Sequence, residues 1–486
     1  MTTEGRPHNF CLEAGECPAF LMMKLDIPEK VVKLAESVRA IGGRALLVGG
    51  CVRDELMNKQ PKDWDLEVYG VEPANVRELL DQFGSVNVVG EAFTVYKLGP
   101  DLDVSLPRRE RKTGRGHRGF VIEGDPQMTF AGATARRDFT INAILQDPLT
   151  GEIIDPHQGR DDLKSKILRA VSPDTFAEDS LRVLRAAQFA ARFEFEIDAE
   201  TAELCRAIDL SDLPGERIWG EIEKLLLQAQ RPSIGLEWLR KLGAIDQLFP
   251  EIKALIDVPQ DPEWHPEGDV FVHTQLVIER ARESIEDLPY AKQVTVMLAA
   301  LSHDFGKPAT TEFVDGRLRS RGHEEAGVAP TLSFLDKLNV HTLDGYDVRA
   351  QVLALVRDHL KPGEYYKKRD EVGDGAFRRL ARKCELDLLY RVAKADSLGR
   401  NADWVPREKW YDAAAQDWFI ERARELEVES KAPAPILLGR HLLEMGLPSG
   451  PRIGEITRAV YELQLDGQVH TLEEAQKAAH KIIGRG

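Results

Sequence analysis

The chain has few of the features that mark secreted, membrane or zinc-finger proteins. It contains only five cysteines in 486 residues, and no two of them form a C-x-x-C pair. Such an odd, scattered set argues against a disulfide framework and a cysteine zinc site, and favours reduced thiols. No apolar run approaches the roughly 20 residues that cross a bilayer, and the N-terminal residues lack the layout of a signal peptide. We therefore expect a cytoplasmic protein with no membrane partner.

The chain also lacks an excess of positive charge. Its 81 acidic residues outnumber its 65 basic ones and give a net charge of −16, which argues weakly against a nucleic-acid partner. The distribution is uneven, because six basic residues and a single acid, Glu110, lie between Arg108 and Arg118. A run of this kind is also typical of a solvated loop. The basic run comes just after a predicted strand, in a sheet that the motifs described below assign to a catalytic domain. This position favours a positively charged catalytic face on a protein that is acidic elsewhere.

The length and the periodicities predict several domains. A chain of 486 residues is too long for one ordinary core, and no fixed-period repeat is visible. Strand and helix patterns alternate in the first third, and helical spacing dominates afterwards. We predict an α+β protein with a head, a neck and later helical domains. The predicted boundaries are 1–24 for an N-terminal extension, 25–160 for an α/β catalytic head with a mixed sheet, 161–254 for a helical neck, 255–400 for a second helical domain and 401–486 for a helical tail.

One short stretch of the head predicts nucleotidyl transfer. A strand runs into the turn Gly49-Gly50, a helix carrying Arg53 follows, and a second strand, DWDLEV, carries Asp63 and Asp65. Residues two apart on a strand point to the same face, so the two carboxylates can share divalent cations. A glycine turn lets backbone N–H groups approach a phosphate. These parts suit metal-assisted attack on a nucleoside triphosphate.

A second constellation lies in the helical region and is rich in histidine. One histidine alone is more often structural than functional, but here an adjacent His-Asp pair has four further partners. Imidazole nitrogens and carboxylates are good ligands for first-row divalent metals. The candidate ligands are His273, His303, Asp304, His323, His359 and Asp396.

The ordered motifs resemble those of a known family. The spacing from Gly-Gly through Val-Arg-Asp to Asp-x-Asp resembles the signature of class II tRNA nucleotidyltransferases, the CCA-adding enzymes and their bacterial poly(A) polymerase relatives. ARRDFTINAI, at Ala135–Ile144, resembles the second motif of that family, and AEDSLRVLRAAQFAARF resembles its Glu-Asp-x-x-Arg motif. The resemblance extends over nearly the whole of residues 40–480.

The resemblance implies roles for particular residues. Asp63 and Asp65 would hold Mg²⁺, with Asp103 as the candidate third carboxylate. Asp179 and Arg182, three residues apart on a helix, would offer acceptor and donor groups to the Watson–Crick edge of CTP or ATP; the alternative is an ordinary surface ion pair. Which of two adjacent arginines, 136 or 137, contacts the nucleotide stays open. The implied nucleotide-binding residues are Gly49, Gly50, Arg53, Arg136, Arg137, Asp138, Asn142, Asp179, Arg182 and Arg185.

The histidine-rich region resembles the HD phosphohydrolase superfamily. The resemblance implies one metal site at His273, His303, Asp304 and Asp396, which His323 and His359 would extend toward a second metal or a phosphate. The implied cofactor is a divalent transition metal of the Ni, Mn, Co or Fe class, and Lys307 is a candidate phosphate contact. His265 is interpreted as structural. The implied activities are metal-dependent phosphatase and 2′,3′-cyclic phosphodiesterase.

The expected function is addition of CCA, or of its terminal A, to the tRNA 3′ end from CTP and ATP by two-metal chemistry. A glycine-punctuated basic loop at residues 105–120 favours CCA or A addition over CC-only addition, without separating the first two. A poly(A) polymerase of the same superfamily and a nucleotide-binding HD phosphohydrolase stay as alternatives. The oligomeric state and the role of residues 1–24 stay open.

Overall fold

The computed structural model describes residues 27–89, 95–112 and 120–484, with backbone alone at 88–89, 109–112 and 120–123. The predicted N-terminal extension and the centre of the basic loop lie outside the described residues. The chain divides into two compact units. The first runs to Ser165 and includes Ala170–Ser172, and the second consists of Lys166–Arg169 and Pro173–Gly486.

A mixed sheet forms the centre of the first unit, as predicted. Within the described residues it has seven strands, in the order β3-β4-β5-β2-β1-β8-β9. β2 and β5 run parallel, whereas the other neighbouring strands are antiparallel. The strands are β1 Arg44–Val48, β2 Trp64–Tyr69, β3 Asn87–Val89, β4 Val95–Lys97, β5 Leu102–Ser105, β8 Leu145–Gln146 and β9 Ile153–Ile154, and a separate hairpin consists of β6 Arg108–Lys112 and β7 Phe120–Gly124.

Alternation along the central strands separates a core face from a polar face. On β2, Trp64, Leu66 and Val68 are buried in the main core of the unit, whereas Asp65 and Glu67 occupy the alternate positions. Helices cover the core face, and residues of α1 belong to the same cluster. The helices of this unit are α1 Glu29–Ala40, α2 Gly50–Leu56, α3 Pro73–Leu80, α4 Phe130–Thr134 and α5 Gly159–Ser165, with a 3₁₀ turn at Thr140–Asn142.

The second unit is mainly helical, in agreement with the predicted fold class. Its helices are α6 Pro173–Phe176, α7 Leu181–Phe193, α8 Ala199–Arg206, α9 Gly215–Gln228, α10 Pro232–Lys241, α11 Ala244–Leu248, α12 Pro250–Lys253, α13 Val270–Arg282, α14 Tyr290–Ser302, α15 Lys307–Thr310, α16 His323–Ala326, α17 Val328–Lys337, α18 Val348–Asp358, α19 Lys361–Lys367, α20 Asp374–Leu380, α21 Leu386–Gly399, α22 Ala414–Glu425, α23 Gly439–Glu444, α24 Pro451–Leu465 and α25 Leu472–Ile483. A 3₁₀ turn occupies Arg407–Lys409.

Three short strand pairs interrupt the helices, and the sequence patterns did not predict them. They are β10 Ile167–Leu168 with β11 Glu196–Ile197, β12 Thr311–Val314 with β13 Arg317–Ser320, and β14 Thr342–Leu343 with β15 Tyr346–Asp347. Strands of two to four residues are too short to show a period-2 pattern. The last three helices have a hydrophobic cluster of their own, which includes Leu442, Val460 and Ala475.

Among the described helices, none combines the length and the apolar character that a bilayer-spanning helix needs.

Candidate active sites

The turn between β1 and α2 requires glycine at its first position. Gly49 has a φ of 84°, a conformation that residues with a Cβ adopt at a cost. A Cβ built there would also lie 2.8 Å from Nη1 of Arg137 and 3.4 Å from Oδ2 of Asp65. The glycine therefore allows an arginine and a carboxylate to approach the turn closely.

Two of the three predicted carboxylates lie on neighbouring strands. Asp65 of β2 is opposite Asp103 of β5 in the parallel register, so both belong to the polar face of the sheet. The second strand was expected to carry both Asp63 and Asp65, but its pairing with β5 begins only at Trp64, so Asp63 precedes β2 and is exposed. Burial raises the pKa of Asp65, and the negative charges of Asp103 and Asp63 act in the same direction, while Arg137 opposes them. Carboxylates that disfavour each other's ionisation gain from a bound cation.

Lysine and arginine side chains balance part of this negative charge. Nζ of Lys97, on β4, lies 3.0 Å from both carboxylate oxygens of Asp103. Arg136 donates a hydrogen bond of 2.8 Å to Glu67, which is fully buried two residues after Asp65. The guanidinium of Arg136 is thus held by Glu67, whereas that of Arg137 lies beside the glycine turn and Asp65.

A buried chain of hydrogen bonds connects α2 with the second predicted motif. Arg53 donates to Asp54, and its Nη1 donates to Oδ1 of Asn142 at 2.7 Å. Asn142 donates in turn to Asp138, whose Oδ1 also accepts from the backbone N–H of Phe139. The guanidinium of Arg53 lies 3.5 Å from the position of a Cβ on Gly50. The structure therefore brings these predicted residues together around the glycine turn.

The predicted base-reading residues lie at the start of α7 in the second unit. The prediction put Asp179 on the helix, but α7 begins at Leu181, whose N–H donates to Oδ1 of Asp179. Arg217 of α9 is 3.0 Å from Oδ2 of Asp179, and Nη1 of Arg182 donates to the carbonyl of Thr175 at 2.7 Å. A short side chain that accepts from nearby backbone favours the position before a helix.

Arg185, the third predicted residue of this region, lies one turn further along α7. Its Nη1 is 3.8 Å from Oε1 of the buried Glu221 on α9, and its guanidinium lies 5.1 Å from the centre of the Phe189 ring. Arg185 and Asp179 are thus both in contact with α9.

The six predicted metal ligands of the histidine-rich region form one buried cluster. His273 lies on α13, His303 and Asp304 follow α14, His323 begins α16, His359 follows α18 and Asp396 lies on α21. Nε2 of His273 is 3.1 Å from Asp396, and Nε2 of His323 is 3.3 Å from Asp304. Among the described residues, sets of three ligand atoms within 4.8 Å of one another occur only here and at the neighbouring His265 and Glu267.

Backbone carbonyls fix the tautomers of three histidines. Nδ1 of His303, His323 and His359 lies 2.7–2.8 Å from the carbonyl oxygen three residues earlier. A carbonyl only accepts, so each Nδ1 carries a proton, and the neutral form of each ring offers its lone pair at Nε2. Burial lowers the pKa of His359 to about 3, which keeps its ring neutral. The Nε2 atoms of His323 and His359 are 3.3 Å apart, a separation at which two lone pairs gain from a shared cation.

Buried polar atoms without hydrogen bonds also fit a metal centre. Within the described residues, Nε2 of His303 and both oxygens of Asp304 are buried and accept no well-aligned hydrogen bond. Burial opposes the ionisation of Asp304, but His303 and Lys307 hold its pKa well below the usual value. Orphaned ligand atoms of mixed nitrogen and oxygen type fit a divalent transition metal.

Glu267 is a buried carboxylate that the sequence interpretation missed. Oε1 lies 2.9 Å from Nδ1 of His265 and 2.7 Å from Nδ1 of His273. Although burial opposes its ionisation, the contacts with the two histidines lower the pKa of Glu267 to about 2. A carboxylate at Nδ1 leaves Nε2 of His273 as the ligand atom.

Other missed residues had sequence signals of different strength. Glu67 follows Asp65 by two positions on a strand, and Arg400 follows Asp396 by four positions in the helical region, so simple periodicity could have found both. Glu267 lies in a loop, where no periodicity applies. Arg217 lies on a different helix from its partner Asp179, and no spacing rule relates the two.

Family profiles match three parts of the chain. "Poly A polymerase head domain" matches residues 45–169, and "Probable RNA and SrmB- binding site of polymerase A" matches residues 194–256. "HD domain" matches residues 270–401. The matched ranges include the carboxylates of the head and the histidine cluster.

Solved structures share the fold. A Bacillus stearothermophilus CCA-adding enzyme in complex with CTP has a TM-score of 0.62 at 18% identity, over 94% of this chain and 98% of that one. A Thermotoga maritima CCA-adding enzyme complexed with tRNA CCA has a TM-score of 0.54 at 19% identity, over 94% and 96%. At this level of identity the likeness shows the fold alone.

Curated relatives are closer in sequence. A "Multifunctional CCA protein" of Haemophilus influenzae is 42% identical over 303 residues, which are 60% of this chain and 70% of the relative. One from Xanthomonas campestris pv. campestris is 37% identical over 424 residues, which are 84% of this chain and 95% of the relative. The chain belongs to the family of the multifunctional CCA proteins.

Proposed function

We propose that this protein adds CCA, or its terminal A, to tRNA 3′ ends from CTP and ATP. The observation that carries this proposal is the polar face of the head sheet, where Asp65 and Asp103 lie side by side next to the Gly49 turn and Arg137. Membership of the multifunctional CCA protein family supports it. A poly(A) polymerase would share the head domain but would add adenylate residues to an RNA without a fixed limit on their number.

Asp63, Asp65 and Asp103 are the residues that would hold Mg²⁺. When bound, Mg²⁺ supplies charge neutralisation at the triphosphate and lowers the pKa of the attacking 3′-hydroxyl. Arg137 is suited to contact the phosphates, since its guanidinium lies beside the turn. Arg136 is the less suited of the pair, because Glu67 holds its guanidinium. Glycine at position 49 lets the backbone of the turn approach an anion.

Base selection is proposed for the residues around α7. Asp179 accepts hydrogen bonds and Arg182 donates them, which suits the edges of cytosine and adenine. Arg217 supports this role, because its contact with Asp179 restrains that carboxylate. Glu221 lies 3.8 Å from the guanidinium of Arg185 and restrains its position.

The histidine-rich domain is proposed to be a metal-dependent phosphohydrolase that acts as a phosphatase or a 2′,3′-cyclic phosphodiesterase. Its donor set of imidazoles and carboxylates favours a transition metal of the Ni, Mn, Co or Fe class over Mg²⁺. The metal, when bound, supplies Lewis acidity and an activated water. Lys307, 2.7 Å from Asp304, is placed to contact a substrate phosphate.

One assay tests the nucleotidyl transfer. A tRNA transcript lacking CCA is incubated with Mg²⁺ and with CTP, ATP or both, and the products are sized. CCA addition predicts growth by three nucleotides only when both nucleotides are present. No growth of this transcript with both nucleotides, together with a single added A on a second transcript that already ends in CC, indicates A-only addition. Long poly(A) products would overturn the proposal.

A further inference from the structure

A cavity of about 210 Å³ opens over the histidine cluster, and a buried lysine, Lys307, and a partly buried arginine, Arg400, line it. Nζ of Lys307 lies 2.7 Å from Oδ2 of Asp304, and Nη2 of Arg400 lies 3.6 Å from Oδ1 of Asp396. Each cation thus accompanies one of the two carboxylates of the cluster. A cavity with a cation beside each carboxylate suits an anionic molecule that also extends to the metal-binding atoms of the cluster.

Arg400 has hydrogen-bonding capacity that its protein contacts do not use. Its guanidinium lies 4.8 Å from the centre of the Tyr411 ring, and within the described residues its buried Nε makes no hydrogen bond. Packing against an aromatic ring fixes the orientation of the planar guanidinium. A guanidinium has five N–H donors in a rigid fork, a geometry that matches a phosphate.

Trp264 lines the same cavity but is 49% exposed. Contacts of its loop hold it in place, because Asp261 and Glu263 both pair with Arg317 of β13. Gln260, in the same loop, accepts a hydrogen bond from Lys307 at 2.7 Å. An exposed indole on an anchored loop is a surface on which a nucleobase can stack.

We propose that Arg400 and Trp264 determine which phosphate esters the cavity accepts, because Arg400 binds the phosphate together with Lys307 and Trp264 stacks with the base of a nucleotide. The proposal rests on the phosphohydrolase function proposed above, and it adds two specificity-determining residues, Arg400 and Trp264. It predicts that the site discriminates a nucleotide from a phosphate ester without a base.

The stacking is tested with two monoesters of secondary alcohols, adenosine 2′-monophosphate and glycerol 2-phosphate, on the full chain with Mn²⁺. Trp264→Ala raises KM for the nucleotide by about 5- to 100-fold, the range expected for one base–aromatic contact, and leaves KM for glycerol 2-phosphate unchanged. Phe313→Ala is the matched control, since Phe313 is an exposed aromatic of β12 that does not line the cavity. Equal changes for both esters, or none, overturn the role of Trp264.

The role of Arg400 is tested with inorganic phosphate as a competitive inhibitor. Arg400→Gln weakens phosphate inhibition by about 10- to 100-fold, as expected for a lost charged hydrogen bond, and Arg400→Lys has an intermediate effect. Mn²⁺ binding, measured by calorimetry, changes less than threefold. The control is Arg357→Gln, an arginine that pairs with the exposed Glu325. If Mn²⁺ binding falls as far as phosphate binding, Arg400 acts only through Asp396 and the proposal is overturned.

Equilibrium binding separates this proposal from the hydrolase function. If the wild-type protein hydrolyses neither ester with Mn²⁺, Ni²⁺ or Co²⁺, the hydrolase function fails. Binding of adenosine 2′-monophosphate to Mn²⁺-loaded wild type and Trp264→Ala, followed by indole fluorescence and calorimetry, still tests the subsite. Wild-type affinity for the nucleotide equal to that for glycerol 2-phosphate overturns it.

Discussion

The head site and the histidine site differ in how completely the protein assembles them. In the histidine site the ligand atoms already converge, are buried, and have their tautomers fixed by backbone carbonyls. In the head, Asp63, Asp65 and Asp103 do not form such a cluster within the described residues, and Asp63 is exposed. We therefore expect the histidine site to bind a metal ion without substrate, and the head site to need substrate phosphates to complete its metal coordination.

Asp65→Asn in the head is expected to have the largest effect. It removes a proposed metal ligand, so nucleotide incorporation into tRNA should fall about 10³-fold, since metal stabilisation of several kcal/mol is lost. Hydrolysis by the histidine site should stay unchanged, and both rates are measured on the same preparation. Glu78→Gln, at an exposed position of α3, is the control. Incorporation within tenfold of wild type would exclude Asp65 from the catalytic residues.

Asp304→Asn should have the reciprocal effect. We expect loss of metal-dependent hydrolysis and of tight Mn²⁺ binding by calorimetry, while CCA addition stays near the wild-type rate. The replacement removes a buried charge that lies near His303, Lys307 and His323. Asp315→Asn, in the turn of the β12–β13 hairpin, is a matched control at a position with φ of 52° that asparagine tolerates. A variant that binds Mn²⁺ as tightly as wild type would contradict the ligand assignment.

Glu267→Gln tests how the histidine site is supported, because it leaves every proposed metal ligand in place. An amide at this position still accepts from one histidine but no longer offers a charge to His273, so Mn²⁺ affinity should fall about 10- to 100-fold. Calorimetric titration with Mn²⁺ measures this directly. Glu312→Gln, at an exposed position of β12, serves as the control. An unchanged affinity would show that backbone and packing alone orient His273.

Tyr69→Phe and Glu67→Gln test the head for the same kind of support and should have the smallest effects, with Glu67→Gln the larger of the two. Arg136 would lose its buried charged partner, and the free energy of unfolding should fall by about 1–3 kcal/mol. Tyr69→Phe, which removes only the hydroxyl that donates to Glu67, should cost about 0.5–1.5 kcal/mol. Urea denaturation measures both values. A Tyr69→Phe effect larger than that of Glu67→Gln would mean that Arg136 does not depend on Glu67.

The sequence predicted what strong periodicity and ordered motifs can encode. The strand that carries Asp65 was predicted, but it begins at Trp64, so Asp63 precedes it. The side-by-side position of Asp65 and Asp103 could not be derived, since it depends on a parallel pairing of distant strands. The start of α7 was predicted too early, because the side chain of Asp179 accepts from the backbone ahead of the helix.

The histidine cluster was predictable as a set, but its surroundings were not. Six residues from five segments converge because helices pack around them, and the order of the motif indicated this. Glu267 and Trp264 belong to a loop whose path follows from ion pairs with Arg317 and has no local pattern. Loops of this kind depend on tertiary contacts, so sequence periodicity does not reveal which of their residues meet the site.

His303 and His359 each follow the last residue of a helix and donate to a carbonyl of its final turn. The same imidazole therefore terminates a helix and presents a ligand atom. The proton on Nδ1 satisfies a carbonyl at the helix end and also leaves Nε2 free to bind a metal. A descendant of this chain that had stopped hydrolysing phosphates would therefore still favour histidine at both positions, because the helix ends would still need this hydrogen bond. Persistence of these two residues among descendants would then report on folding, and loss of Asp304 would be the earlier sign of lost chemistry.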